Sequence, residues 1–462
     1  MSDRMGSNPA NGFSSVFRRS VELYGDYTQK PDAPRLGAVI RMPSSHPAIW
    51  GKAGPAPFRQ VDTFMGADDR AAALHAASDL LNSFSGENER VTASLILAGR
   101  MLLAHDDIAA ADHIIGEGSA RPILDRFLFR MSCRVNDAGN EPLYNTLVQH
   151  DQADPDVLAA LWLRHRWRTE GPTRTLLESF LPEPGVRKGY RRRLRECLAL
   201  AFRLEAVDIA KALLARFAHL ETEYDRILPL ASYLAEQGGR NAASETVHAF
   251  ARLHRHIEEQ SAGLTAMIAD ADRSLAIVGN SPCEKGKGKG ERIDRHHIVA
   301  RFNFFSLEPE YRADYGSKFD LHVRSRLEDE ALDQRSVKAG LTIFPLNEFV
   351  HQYRNWSYMR QLRGEGANIA CFPPDFHRPL LAELRRDASN GLLFCAFVHQ
   401  LRGRLHPESC FGFAFTDQIS TESETHYSDN NPPALNHNWQ KEREVFTRLV
   451  TQAHPSAPEP AP

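Results

Sequence analysis

The sequence predicts an α/β fold, a mostly parallel sheet with flanking helices, preceded by an all-α region of helical hairpins. Three observations predict it. From about residue 66 to 265, apolar residues recur at helical spacing between short linkers. After Asp272 that texture gives way to short apolar runs of strand length. Helical stretches fall among the later runs, the pattern of a parallel sheet whose faces are covered by helices, which makes the sheet Rossmann-like.

The elements follow in order. Residues 1–65 scatter proline and glycine through PDAPRLGAVIRMPSSHPAIWGKAGPAPF and read as an irregular N-terminal arm, with LGAVIRM as one short strand. Residues 66–270 read as an all-α, repeat-like domain. Its helices are carried by DDRAAALHAASDLLNSF, ERVTASLILAGRMLLAH, DIAAADHIIGEG, DVLAALWLRHRWRTE, RRRLRECLALAFRLEAVDIAKALLARFAHL, YDRILPLASYLAEQ and GRNAASETVHAFARLHRHIEEQSAG. The stretches show no fixed period, so they form hairpins without a named repeat. Strands are expected at 274–279, 298–302, 319–323, 341–345, 368–372 and 410–415, and helices at about 350–363, 378–386, 391–403 and 439–451. Together they make a domain over 271–452. The tail 453–462, HPSAPEPAP within it, has the composition of a disordered segment.

Composition excludes several classes. A chain that is 42% hydrophobic and 25% charged, with net charge −3, is ordinary globular protein with no general pull toward nucleic acid. No run of 18 apolar residues marks a transmembrane helix, and MSDRMGSNPANGFSS has no apolar core of a signal peptide. The six cysteines are scattered without a CxxC, which fits free thiols in a reducing compartment, so a cytoplasmic location is expected.

Three constellations carry chemistry. In SLAIVGNSPCEKGKGKGERIDRHHIVARFN, a first strand ends at Gly279-Asn280 and a second at Asn303. Ligands of open α/β sheets sit beyond the carboxyl ends of the strands, so the two amides are placed to hold a hydrogen-bonding ligand such as a ribose or a base edge. GKGKG lacks the spacing of a Walker loop, and its lysines fit a solvated loop face equally well. In DASNGLLFCAFVHQL, Ser389 or Asn390 caps a helix whose first amides suit a phosphate, or simply caps it. In THYSDNNPPALNHNWQKEREVF, His426 and His437 are two imidazoles near neutral affinity for protons, able to accept one from a hydroxyl and to give one to a leaving phosphate. Asp270-Ala-Asp272 precedes the first strand, badly placed for a metal–nucleotide site, and reads as a helix-end charge pair. The run Arg187-Lys188…Arg191-Arg192-Arg193 is a docking patch for anionic glycan, lipid headgroups or a partner protein, or a solvated helix face.

Taken in order, these pieces resemble the sialylmotifs of the eukaryotic-type sialyltransferases, glycosyltransferase family 29. LAIVGNS, KGKGKGERIDRHHIVARFN and YRADYGSKFDLHV resemble the long motif, including Ile293-Asp294, Arg301-Phe302-Asn303 and Gly316-Ser317-Lys318. DASNGLLFCAFVHQL with CFGF resembles the short motif, Ser389-Asn390-Gly391 standing where the family tends to carry Ser-Thr-Gly. HYSDNN resembles the third motif, with HYSD in place of HYxE, and His437-Asn-Trp-Gln-Lys-Glu442 matches the HxxxxE motif. The resemblance covers about 272–450 and points to a bacterial branch.

By that resemblance the fold is a GT-A-like variant. Asn280 and Asn303 contact the CMP part of a CMP-sugar donor, while Ser281, Ser389, Asn390 and Gly391 line the nucleotide and phosphate site. His426 serves the leaving phosphate and His437 is the general base on the acceptor hydroxyl. Gly279 and Glu442 are supporting residues, Glu442 orienting local structure or lying on a helix surface; Tyr427 helps at the phosphate or packs. The family's disulfide has no counterpart, since its first cysteine aligns with Leu275 and its second falls near Arg402. The anchor and stem of the Golgi enzymes are missing as well. The implied reaction is an inverting, metal-independent transfer of a nonulosonate-type sugar, sialic acid or Kdo, from CMP to a hydroxyl of a surface glycan, with no cofactor. A protein partner or a peripheral contact with the inner face of the membrane would fall to the helical domain. The alternative is a catalytically inactive CMP- or nucleotide-binding adaptor with a helical protein-interaction domain.

Overall fold

The computed structural model describes residues 70–83, 155–182, 190–217, 228–237, 244–324, 334–345, 353–373, 376–414, 427 and 437–453, with isolated positions between 61 and 148. The strand expected in LGAVIRM, His426 and the basic pair Arg187-Lys188 lie outside them. The chain divides into two compact units, 1–153 with 432–436, and 154–431 with 437–462. In the first, helix α1 (Arg70–Asn82) buries Ala73 and Ala77, one turn apart on one face.

The second unit opens with helices α2 (Pro155–Glu170), α3 (Arg174–Ser179), α4 (Tyr190–Arg203), α5 (Val207–Arg216), α6 (Leu228–Gln237) and α7 (Glu245–Ala269). The long stretch RRRLRECLALAFRLEAVDIAKALLARFAHL is two helices rather than one. It breaks at Glu205, whose φ of 55° lies in the left-handed region. Of the basic run, Arg193 turns inward and donates to Asp156 and to the carbonyls of Phe180 and Leu181. Ser244 caps α7 by accepting from the Val247 amide.

Strands β1 (Leu275–Val278), β2 (Ile298–Phe302), β3 (Leu321–Val323), β4 (Leu341–Phe344), β5 (Ile369–Cys371) and β6 (Cys410–Phe411) form a sheet of order β5-β4-β3-β2-β1-β6, every pairing parallel. Between them run α8 (Gly290–Asp294), α9 (Pro309–Tyr315), α10 (Gln334–Lys338), α11 (Tyr353–Gly364), α12 (Arg378–Leu384) and α13 (Asn390–Arg402), with α14 (Trp439–Thr451) last. The strands read as near-continuous apolar runs because both faces are covered. Leu275, Ile277, Ile298, Ala300 and Phe302 face α7, α13 and α14, while Ala276, Val278 and Val299 face Ile293 and Tyr315 of α8 and α9. Each fully buried Leu, Ile or Phe contributes about 1.5–3 kcal/mol. Helix α7 seals the edge strand: His256 Nε2 accepts from the Ile369 amide at 3.2 Å and Ser261 Oγ from the Cys371 amide at 2.9 Å. At the end of α13, Arg402 donates to the carbonyls of Ile268, Asp270 and Arg273, tying the end of α7 to the start of β1.

Strand β1 is the switch point. Successive crossovers carry the chain from β1 outward to β5, and β6 then returns to the opposite side of β1, so the carboxyl ends of β1 and β6 stand where open α/β sheets place their ligand crevice.

Candidate functional site

The crevice is floored by two glycines whose backbones touch. A Cβ on Gly279 would lie 2.4 Å from the Gly412 carbonyl oxygen, and one on Gly412 as close to that of Gly279. Gly412, at φ 69°, also ends β6 two residues into the run expected to extend to 415. The Gly279 amide donates to Phe411 and the Ser281 amide to Gly412, so the two strand ends stay paired to the rim.

Asn280 follows at once. Its Nδ2 donates to the carbonyls of Phe302 and Phe304, each at 3.0 Å. Its backbone carbonyl accepts from Tyr427. Its Oδ1 is buried and has no partner among the described residues, the state of an acceptor awaiting a donor. Asn303, at the end of β2, is left-handed with φ 48°, a conformation asparagine tolerates. Its amide donates to Val323, and its carbonyl accepts from His322 Nε2 at 2.8 Å. Ser336 Oγ holds the other nitrogen of that buried ring. The side-chain oxygen of Asn303 accepts from Asn390 Nδ2 at 2.8 Å.

Asn390 begins α13. Ser389 is the N-cap, its Oγ accepting from the Leu392 amide at 3.3 Å. Gly391 has no room for a side chain, since a Cβ there would lie 2.7 Å from the Phe413 ring. The first-turn amides of α13 have no carbonyl partner within the helix and face the same rim, an arrangement suited to phosphate oxygens. Ser389 is gripped from α14: its amide donates to Glu442 Oε1 at 2.8 Å and its hydroxyl to Oε2 at 2.6 Å. Glu442 is fully buried rather than on a helix surface, and burial pushes its carboxyl above the usual range, opposed by His437 and Ser389.

His437 lies beside this clamp. Its Nδ1 is 2.8 Å from the Asp387 carbonyl and 3.5 Å from Glu442 Oε1. A carbonyl only accepts, so Nδ1 carries a proton, and in the neutral ring the lone pair is then on Nε2, the form that acts as a base. Trp439 packs edge-on to the ring at 5.0 Å. Hydrogen bonds and chain neighbours therefore connect Asn280, the end of β2, Asn303, Asn390, Ser389 and Glu442, and His437 lies 3.5 Å from Glu442.

Other motif residues build scaffold. The Asp294 carboxylate accepts from the amides of Ser317 and Lys318 and from Ser317 Oγ, pinning the Gly316-Ser317-Lys318 turn. Buried Arg301 donates to the carbonyls of Tyr315 and Lys318. The amides of Gly286 and Gly288 are both taken by Asp314, whose carboxyl they hold below its ordinary range. The GKGKG loop thus closes on the protein itself. Tyr427 is packed: its ring stacks on Tyr315 at 3.9 Å and its hydroxyl donates to the Ser306 carbonyl. Burial raises its phenol above the usual range. Asp270 caps the end of α7 and pairs with Arg273, at the amino end of β1, away from the rim. Two contributors escaped the sequence reading, Asp387 and its partner Arg168 of α2. Asp387 stood in plain view two residues before the N-cap; nothing in the sequence joined it to Arg168.

Residues 228–351 match the family model of glycosyltransferase family 29 (sialyltransferase). Among solved structures, a mammalian sialyltransferase in complex with Gal-beta-1-3GalNAc-ortho-nitrophenol is 18% identical, over 51% of this chain and 86% of that one, with a TM-score of 0.31. At that score the likeness bears neither on fold nor on function. No curated protein matches the chain. The matched segment 228–351, which holds Asn280 and Asn303 of the rim, is thus similar to glycosyltransferase family 29, the sialyltransferases.

Proposed function

We propose that the crevice is the donor site of an inverting, metal-independent glycosyltransferase that moves a nonulosonate-type sugar, sialic acid or Kdo, from a CMP-sugar to a hydroxyl of a surface glycan. The observation that supports it best is the convergence of Asn280, Asn303 and the Ser389–Gly391 helix start, linked by hydrogen bonds to Glu442, with His437 3.5 Å from that carboxylate. Asn280 and Asn303 offer amide groups to the ribose or base edge of CMP. The first turn of α13 receives the phosphate. His437 Nε2 takes the proton of the acceptor hydroxyl as its oxygen attacks the anomeric carbon, and the C–O bond to phosphate breaks with its electron pair left on CMP. His426 serves that phosphate. One base and one phosphate partner suffice for a single displacement, so the transfer needs no metal. The setting is the cytoplasm or the inner face of its membrane, with helices α2–α6 offering a surface to a partner.

The test is a thermal-shift panel, since a ligand that binds the native state raises the unfolding midpoint. CMP should stabilise the protein where UDP, GDP and NAD do not. A preference for NAD would overturn the reading, and loss of turnover of CMP-sialic acid and CMP-Kdo alike in excess EDTA would overturn its metal-independent form.

A further inference from the structure

We infer that Arg168, a residue of α2 outside the sialyltransferase-like segment, is a positioning residue for His437 and acts through Asp387. The inference rests on the reading of His437 as the base. Asp387 is held at both ends. Its carboxylate accepts Arg168 Nη2, from the last turn of α2. Its carbonyl accepts the Nδ1–H of His437. The guanidinium is 15% exposed and the carboxylate 36%, so the pair is half withdrawn from water and is screened less than a surface pair. The end of α2 is itself docked beside the segment that leads to Asp387: Gly171 leaves room that Arg378 of α12 occupies, its Nη1 lying 2.3 Å from where a Cβ would stand.

The consequence falls on the ring. Among the described residues only the Asp387 carbonyl is within good hydrogen-bonding distance of Nδ1; Glu442 stands at 3.5 Å with both its oxygens engaged by Ser389. Turning the Asp387 peptide removes the group that keeps the proton on Nδ1, and with it the guarantee that Nε2 has a free lone pair. Arg168 prevents that turn by fixing the side chain of the same residue. A helical element that supplies nothing to the ligand thereby selects the tautomer of the base.

Selective 15N-histidine labelling reads the tautomer directly, with His437→Gln assigning the resonance. The wild type and Arg168→Lys should show His437 as a single Nδ1–H tautomer. Arg168→Ala should show a mixture of both tautomers, while its CMP affinity by calorimetry stays within about twofold of wild type. Should Arg168→Ala fail to fold, Asp387→Asn keeps the shape of the side chain, removes the ion pair and should show the same mixture. A single Nδ1–H tautomer in the folded variant overturns this inference alone. A wild type that binds no CMP overturns the proposed function instead, and the two failures are read in separate experiments.

Discussion

Asn390 gives an amide hydrogen to Asn303 and so fixes which way the Asn303 amide faces. With its oxygen occupied, Asn303 has its NH2 group as the donor to offer a ligand. Asn390→Asp keeps the shape but replaces the donor with an acceptor. Two oxygens then face each other, Asn303 turns over, and it offers oxygen where it offered nitrogen. The expected result is a loss of about tenfold or more in CMP affinity, measured by calorimetry, with little change in the unfolding midpoint. Unchanged affinity would mean that the Asn303 nitrogen does not meet the ligand. Asparagine at 390 is long enough to bridge from α13 to the end of β2.

At the scale of elements, the edge strand β5 depends on a neutral imidazole. His256 accepts from the Ile369 amide only while Nε2 is unprotonated. Burial, with Arg363 nearby, lowers its affinity for protons below the ordinary value of 6.5. Burial likewise lowers His254, which bonds Ser232 between α6 and α7. Both are depressed in the fold, so their contribution is complete above 6.5 and is lost as pH falls through the folded values. Urea midpoints should therefore drop from about pH 7.5 to about pH 5.5, and His256→Gln should flatten that drop. An equal drop in the variant would remove His256 as a cause. Elements such as β5 were legible from sequence: every strand of the sheet lies within a run expected from apolar length, and α12, α13 and α14 begin and end within two residues of the expected stretches. Buried parallel strands and amphipathic helices write their patterns locally. The short helices α3, α8, α9 and α10 were not expected, because five to seven residues carry less than two turns of periodicity. Of the candidate site, Asn280, Asn303, Ser389 and His437 could be singled out because strand ends, caps and motif spacing are local too. What joins them could not. The reach of Glu442 to Ser389 or of Arg168 to Asp387 is a matter of tertiary packing, which leaves no periodic trace.

For the molecule as a whole, the change of texture at Asp272 is a poor place to cut. Leu264 and Ile268 of α7 belong to the core of the sheet, His256 and Ser261 cover its edge, and Arg402 closes on the carbonyls at the end of α7. That clamp joins the same two stretches that the family resemblance would tie by a disulfide, near Leu275 and Arg402. A chain beginning at residue 271 loses all of this and bares an apolar strand edge. It should aggregate, or give a broad transition without cooperativity. A chain of residues 154–462 keeps α2 through α7 and should unfold in one sharp transition and bind CMP as the full chain does. Calorimetric unfolding of the two truncations decides the matter, and cooperative unfolding of the shorter one would show the helices to be dispensable.

The placement of β6 beside β1 also sets a timetable for synthesis. Ile277 pairs with Cys410, so one flank of β1 has no partner until roughly 130 further residues have left the ribosome, a wait on the order of ten seconds at ordinary elongation rates. During that interval β1 and its glycine-tipped end can be held only from the β2 side. The switch point between β1 and β6 is therefore among the last features of the nascent chain to form.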